Sequence, residues 1–500
     1  MLSILICLLC SYSASASWPN STANWQIQFQ PCPNLTNVEC GQLQVPVDWT
    51  TPSGAQLTLG VQRVKTNSTS KRGSLLFNPG GPGVPATTVC SLAAFSFSKE
   101  LLSQYDLICP DPRGVGTSTS VKCDPVTWNK NVSITPRNQS KYQDLTEWSS
   151  ERGQSCLNMT GELLKHVDSK SATYDIEAIR LALGNQSLNY FGLSYGSLLG
   201  AQYAELFPES VGLMAFDGVE SHSTDFTSSL FIKAATYQNQ LIQFFTWCAA
   251  NATRCGFHAN DLAQTWNDLI VNATRAPIPA PDCSGNSTGQ ACRTTVTGED
   301  IQVNAQNLLM WQNTTLGVLP GWSALGAALN PIVTKNDATA FSSPLATSTT
   351  YQNFAAQAIY CLDHKRFPAA NVTSLNAYTA YKQFLTLGQV FNPQTSIYSN
   401  AYVSDTTCLN WPVPPTNPQH ELNQTAMAML PPILMVNSVH DPFTSYAWAL
   451  DVKEQMPSAR LVTRQGNGHT SYFLMGQASK VIDAYFVNGT LPDPDLLVYS

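Results

Sequence analysis

Gly192-Leu193-Ser194-Tyr195-Gly196 sets a serine between two glycines in a G-x-S-x-G pattern. A serine hydroxyl is a weak nucleophile alone and needs a base, itself oriented by a carboxylate. The flanks give the pattern meaning. "LNYF" before it reads as a strand and "SLLGAQYAELF" after it as a helix, so Ser194 sits on a sharp strand-to-helix turn. Bulkier side chains at Gly192 and Gly196 would collide with that strand and helix. The turn lifts the Ser194 hydroxyl above the carboxyl edge of a sheet, where ligands bind in open α/β sheets. The partners should follow in the order acid, then base. Asp441 in "HDPFTSY" follows the strand "ILMVNSV", and His469 in "GNGHTSY" follows the last predicted strand. His440 is a rival base, but it precedes the acid, and adjacent residues on an extended segment point apart. None of His166, His222, His258, His364 and His420 stands after that last strand.

Acyl transfer also needs backbone N–H groups aimed at the developing oxyanion. One is expected from Tyr195, the residue after the serine. The other is expected from "NPGGPG" (78–83), where Gly80 and Gly81 let the backbone approach substrate; Gly81 is the preferred donor. In "DPRGVGTS" (111–118), Asp111 and Arg113 could contact substrate, but a local ion pair holding the loop is the favoured reading.

These residues require a sheet to carry them. "GQLQVPVDW" (41–49) and "AQLTLGVQRVKT" (55–66) read as strands joined by a turn, and "GSLLF" and "YDLIC" as short apolar strands that run into turns. "ATYDIEAIRLALG" (172–184) reads as a helix, then come the Ser194 strand, its helix and "GLMAFDGV" (212–219). The alternation predicts an α/β fold with a mostly parallel central sheet. From about 225 to 405 helical stretches alternate with a Cys-, Pro- and Gly-rich region, without βαβ rhythm. A strand at 432–439, a helix at 445–456, a strand at 459–465 and a helix at 471–487 then resume the pattern. The expected organisation is a leader at 1–17, a first core part at 18–224, a large, mainly helical cap insertion at 225–405, and a second core part at 406–500.

The leader expectation rests on the apolar run Leu2–Leu9 followed by Ala14, Ser15, Ala16 and Ser17, which reads as a signal peptide with cleavage near Ala16 or Ser17. No stretch has the length of a membrane span. The chain has 14 cysteines; Cys7 and Cys10 leave with the leader, so twelve remain, with no C-x-x-C pair among them. Local spacing suggests Cys32 with Cys40, Cys248 with Cys255 and Cys283 with Cys292, since each would close a short loop; Cys123 with Cys156 and Cys361 with Cys408 are longer candidate pairs that spacing does not fix. Cys90 and Cys109 are left as a sixth pair or as two buried thiols. N-x-[S/T] sequons recur from Asn20 to Asn488. Together these point to a secreted, glycosylated, extracellular protein. Only 12% of residues are charged, and sugar would supply solubility that charge does not. A net charge of −7 with no Lys/Arg cluster argues against a nucleic-acid partner. A monomer is the expected state, with oligomers left open.

"NPGGPG", "DPRGVGTS", "FGLSYGS", "FDGV", "HDPFTSYAWA" and "GNGHTS" resemble successive landmarks of secreted serine exopeptidases of the α/β-hydrolase fold, the tripeptidyl aminopeptidase-like proteins related to prolyl aminopeptidases. The similarity spans most of the chain; in the insertion it rests on "YCLD" (360–363) and "CLNWP" (408–412). Pro79 stands where related families begin the oxyanion motif with histidine. The resemblance implies peptide substrates, whereas Ser194, Asp441 and His469 alone imply only acyl transfer. A carboxylesterase or lactonase is the alternative, and a non-catalytic binding protein of the same fold a third reading. No H-E-x-x-H or comparable cluster suggests a metal, and no cofactor is expected. An enzyme acting from the N-terminus must sense a free ammonium, for which Asp217 and Glu220 in "FDGVES" are the candidate carboxylates.

Overall fold

A computed structural model describes residues 25–184, 186–284, 291–313, 315–316, 320–366 and 374–499. The expected leader lies outside these residues. The described strands are β1 (Gln30–Pro31), β2 (Val38–Pro46), β3 (Gln56–Val64), β4 (Gly73–Asn78), β5 (Tyr105–Pro110), β6 (Leu188–Leu193), β7 (Val211–Asp217), β8 (Ile278–Pro279), β9 (Thr295–Val296), β10 (Leu434–His440), β11 (Arg460–Asn467) and β12 (Leu497–Tyr499). Ten of them form one sheet in the order β1-β2-β3-β5-β4-β6-β7-β10-β11-β12. From β5 through β12 every neighbouring pair in that order is parallel, and the β1-β2-β3 end joins it antiparallel.

The side chains of these strands explain the layering. Leu76, Ile108, Tyr190, Met214 and Met435 point to one face, where they pack with Ile176, Leu198 and Val452 from helices Ser169–Ala182, Tyr195–Leu206 and Tyr446–Gln455. Leu75, Phe77, Leu107, Phe191 and Leu434 point to the other, against Cys90, Leu101 and Ile482 from helices Ala86–Cys90, Lys99–Gln104 and Gln477–Asn488. A strand covered on both faces is apolar at successive positions, which is why "GSLLF" and "LNYFGL" lack alternation. Asn78, Gly192, Leu193, Asp217 and Val436 come level across β4, β6, β7 and β10, so the loops after these strands converge at one sheet edge.

The chain leaves the sheet at Asp217 and re-enters it at Leu434. The described residues between are mostly helical, apart from the small β8-β9 hairpin. Asp225 caps helix Phe226–Ala250, and Thr297 with Asp300 forms a capping box on helix Gly298–Leu308. This insert has its own core around Phe244, Trp266, Trp322 and Leu325. No helix of the described residues is long and apolar enough to cross a membrane. Six cysteine pairs stand at disulfide distance: the three that spacing suggests, the longer pairs Cys123–Cys156 and Cys361–Cys408, and Cys90 with Cys109.

Two elements differ from expectation. Helix Gln139–Thr160 carries no clear sequence signal, because its buried face mixes Tyr142, Leu145 and Trp148 with Ser149 and Arg152. The helix expected at 471–487 is broken into a 3-10 turn, Tyr472–Leu474, and helix Gln477–Asn488. The break follows from tertiary bonding: the amides of Ser471 and Tyr472 donate to Asp217 instead of starting one continuous helix.

Candidate active site

Ser194 joins β6 to helix Tyr195–Leu206 with φ +56° and ψ −126°. A non-glycine residue held there carries strain of about 1–3 kcal/mol. The surroundings enforce it. The Ser194 amide donates to the Asp217 carbonyl at 3.0 Å, and its carbonyl accepts from the Ser197 amide at 2.8 Å. A Cβ on Gly192 would lie 2.3 Å from the Gly196 carbonyl oxygen, and one on Gly196 would lie 2.6 Å from that of Asn78. Both glycines are required by close backbone approach.

Asp441 and His469 stand on the loops after β10 and β11, and the parallel pairing of those strands brings them together. His469 Nδ1 lies 2.9 Å from each Asp441 carboxylate oxygen. The carboxylate also accepts from the Phe443 and Thr444 amides, each at 2.8 Å, and from the Thr444 hydroxyl at 2.9 Å. Burial pushes the Asp441 carboxyl up, but the His469 charge and these hydrogen bonds outweigh it, leaving it below the ordinary carboxylate value. His440 points elsewhere, with Nδ1 2.7 Å from Asn239 Oδ1. Gly218, the residue after the carbonyl that holds Ser194, sits against the imidazole: a Cβ there would be 3.4 Å from His469 Cε1.

The loop after β4 presses on the Ser194 turn. A Cβ on Gly80 would lie 3.0 Å from the Tyr195 amide nitrogen. The Gly80 amide itself donates to Asn78 Oδ1 at 2.9 Å. Among the described residues, neither the Gly81 nor the Tyr195 amide has an acceptor. Asn78, a residue that no motif spacing marks, thus anchors the first glycine of the loop while the next amide stays available.

The two carboxylates read as ammonium candidates occupy different positions. Asp217 is 0% exposed, and its Oδ2 accepts from the Ser471 and Tyr472 amides at 2.8 Å each. It has no surface to offer an ammonium and instead braces the loop that carries His469. Glu220 is nearer the surface, its side chain 13% exposed, with Oε1 3.8 Å from Lys233 Nζ. That Nζ lies over the rings of Trp448 at 4.8 Å and Tyr360 at 5.4 Å. The Tyr360 hydroxyl donates to Asp405 at 2.8 Å. Burial raises the Glu220 carboxyl, against the charges of Lys233 and His469. Burial likewise pushes Asp405 up to about 7, against Lys233 and the Tyr360 hydrogen bond. Two carboxyls and one ammonium therefore share an aromatic-walled corner. Lys233 and Asp405 come from helices of the insert and belong to no motif, so spacing offered no signal for them.

Arg113 and Asp111 hold the loop after β5, but not as a pair with each other. Arg113 is fully buried and binds Asp175 through Nε at 2.7 Å and Nη2 at 2.6 Å. Asp111 accepts from the amides and hydroxyls of Thr87 and Thr117. The partner of the arginine lies on helix Ser169–Ala182, beyond the reach of a local reading.

A mostly parallel sheet with helices on both faces, a strained serine at one strand end and a His–Asp pair on two later loops define a serine hydrolase of the α/β-hydrolase class. Residues 73–247 match the family described as alpha/beta hydrolase fold, and residues 394–497 match the family described as TAP-like protein. The chain has the α/β-hydrolase fold and is a serine hydrolase of peptidase type, with a C-terminal segment similar to that of the TAP-like proteins. It is 27% identical to a tripeptidyl aminopeptidase of Streptomyces coelicolor across 95% of this chain and 84% of that protein. It is 27% identical to the serine protease Hip1 of Mycobacterium tuberculosis across 91% of this chain and 86% of that one. A carboxylesterase B of Mycobacterium tuberculosis is 28% identical across 92% of this chain and 86% of its own length. The crystal structure of a proline iminopeptidase from Mycobacterium smegmatis is 14% identical, covers 90% of this chain and 98% of its own, and superposes with a TM-score of 0.36.

Proposed function

We propose that this chain is a secreted aminopeptidase that removes short peptides from the N-terminus of its substrates, with Ser194, His469 and Asp441 as its catalytic triad. The observation that carries the reading is His469 Nδ1 held on both oxygens of Asp441 at the same sheet edge as the strained Ser194 turn. With the Nδ1 proton donated to Asp441, the other ring nitrogen is left to act as base. Ser194 Oγ attacks the scissile carbonyl carbon while His469 takes its proton. The oxyanion that forms faces the Gly81 and Tyr195 amides. Collapse expels the amine, which receives the proton from His469. Water then attacks the acyl ester by the reverse route and frees Ser194.

The helices between β7 and β10 act as the cap. Glu220 receives the substrate ammonium, exchanging its long contact with Lys233 for a charge-assisted hydrogen bond. Peptide substrates are favoured by the relatives named as a tripeptidyl aminopeptidase and a serine protease. An extracellular location is supported by the six cysteine pairs and the apolar leader. The carboxylesterase relative favours one second reading, ester hydrolysis by the same residues.

The test compares free peptides, their N-acetylated forms and simple esters, with wild type and Ser194→Ala. Wild type should prefer the free peptide. Ser194→Ala should lose about 10³-fold or more in kcat, and a serine-directed phosphonate should label only the wild type. Full turnover by Ser194→Ala would overturn the triad, and preference for esters would install the second reading.

A further inference from the structure

Tyr360 of the sequence motif "YCLD" walls the Lys233 corner, but the motif's Asp363 has no part in the chemistry above, and it ends the helix Gln352–Asp363 at a position tied to the Ser194 turn. Asp363 is 1% exposed. Its carboxyl accepts from the Ser169 amide at 2.9 Å and from Asn417 Nδ2 at 3.0 Å on one oxygen, and its other oxygen shares a hydrogen bond with the Ser169 hydroxyl. The Ser169 oxygen in turn lies 2.6 Å from the Tyr195 hydroxyl. Ser169 is 0% exposed, so water does not compete for these bonds. Tyr195 is the residue whose backbone amide completes the oxyanion hole, and its side chain is thereby fastened to the insert. The same helix meets the other donor segment. A Cβ on Gly83, at the end of the "NPGGPG" loop, would lie 3.0 Å from the Ala356 backbone nitrogen and Cβ. The pairing of Cys361 with Cys408 and a 2.7 Å contact between the Asp363 carbonyl and His222 Nε2 fix the end of that helix.

We infer that Asp363 is a positioning residue for the oxyanion hole, acting through Ser169 and the Tyr195 side chain, so that helix Gln352–Asp363 of the insert aligns both amide donors. The inference rests on the reading of Gly81 and Tyr195 as those donors. The buried chain Asp363–Ser169–Tyr195 sets where the Tyr195 ring lies, and the ring constrains the orientation of its own backbone amide. Small displacements of an oxyanion donor act on the transition state and leave ground-state binding nearly untouched.

Ser169→Ala, Asp363→Asn, their combination, and Tyr195→Phe test it, with active sites counted by phosphonate titration. Per titrated site, each variant should lower kcat by about 10-fold while KM stays within about twofold. The double variant should be no worse than the poorer single one, because both break one chain of contacts. Phosphonylation should slow in parallel with kcat/KM yet still reach one group per folded chain. A packing role alone would lower the titratable fraction and leave kcat per site at the wild-type value, and that result overturns the inference. If the buried variants do not fold, Tyr195→Phe, which removes only the hydroxyl, decides alone: wild-type kcat per site overturns the proposal. Turnover surviving Ser194→Ala would instead bring down the parent reading and this inference with it. A labelled, active wild type with unaffected variants brings down this inference only.

Discussion

The backbone amide of His469 donates to the carbonyl of Met310 at 2.7 Å. Met310 belongs to the insert and His469 to the last loop of the sheet, so the histidine is held partly by a segment far from it in sequence. Trp311 forms an isolated bridge with Gly468, and Gln306 Nε2 donates to the Pro442 carbonyl at 2.7 Å, next to Asp441. The insert thus bonds the main chain of both the acid and base loops. On the opposite side it packs Ala356 against Gly83. It is a structural part of the site as well as its cover.

Replacing Asp441 with Asn should preserve the loop, because an amide oxygen can still accept from the Phe443 and Thr444 amides. The His469 ring then loses the carboxylate that selects its tautomer and stabilises its charged form. We expect kcat to fall by about 10³- to 10⁴-fold with little change in thermal midpoint, measured by steady-state kinetics beside calorimetry. Activity within tenfold of wild type would remove Asp441 from the triad.

Glu220→Gln and Asp217→Asn should separate recognition from bracing. Glu220→Gln should lower kcat/KM on a free peptide by about 10-fold or more and spare its N-acetylated form. Asp217→Asn, whose amide oxygen can still accept, should affect both forms equally, and Asp217→Ala, which removes the acceptor of the Ser471 and Tyr472 amides, should lower the thermal midpoint. Equal losses on both peptides for Glu220→Gln would leave the ammonium without its assigned partner.

Buried Asp363, pushed up to about 8 mainly by burial and by neighbouring Asp168, gives stability a defined pH dependence. Between its unfolded value near 4 and about 8, the folded chain holds a proton that the unfolded chain has released. Stability from this group is therefore present at low pH and lost as pH rises through the folded value. His222, lowered to about 4 chiefly by burial, acts in the opposite sense below its ordinary value of 6.5. The window is about pH 6.5 to 8, where Asp405, pushed up to about 7, and His420, raised by its Glu205 hydrogen bond, act alike in wild type and variant and cancel in the comparison. There the wild-type thermal midpoint should fall by about 2 °C or more relative to the change in Asp363→Asn. Parallel slopes for the two proteins would show that Asp363 does not hold this proton.

Arg113→Met should leave Asp175 buried without its partner. Breaking a buried ion pair from one side costs about 3–5 kcal/mol, which urea unfolding should register as a lower midpoint. Per phosphonate-titrated site, kcat should stay near wild type, because Arg113 serves the loop and not substrate. A large loss of kcat per site would reassign Arg113 to the substrate cleft.

The strands before the Ser194 turn and before the Asp441 and His469 loops were legible in sequence because a strand buried on both faces leaves a short apolar run. The glycines at 192 and 196 were legible because only a residue without a side chain tolerates backbone approach of that kind. Three of the six cysteine pairs were legible from loop length, because each closes a short loop, whereas the separations of 33 and 47 residues in Cys123–Cys156 and Cys361–Cys408 carry no such signal. Helix Gln139–Thr160 was not, because its buried face includes polar residues and so blurs the periodicity. The sequence by itself determined the strand-turn-helix around Ser194 and the order in which serine, acid and base candidates follow one another. Local patterning suffices for that, since each signal lies within a few residues of what it specifies. Tertiary structure alone decided that Asp217 braces the His469 loop, that Arg113 pairs with Asp175 and not Asp111, and that Asp363 reaches Tyr195 through Ser169. Each of these is a buried polar group whose charge or lone pair must be met, and its partner is whichever group the folded chain brings within hydrogen-bond distance, at any separation along the sequence.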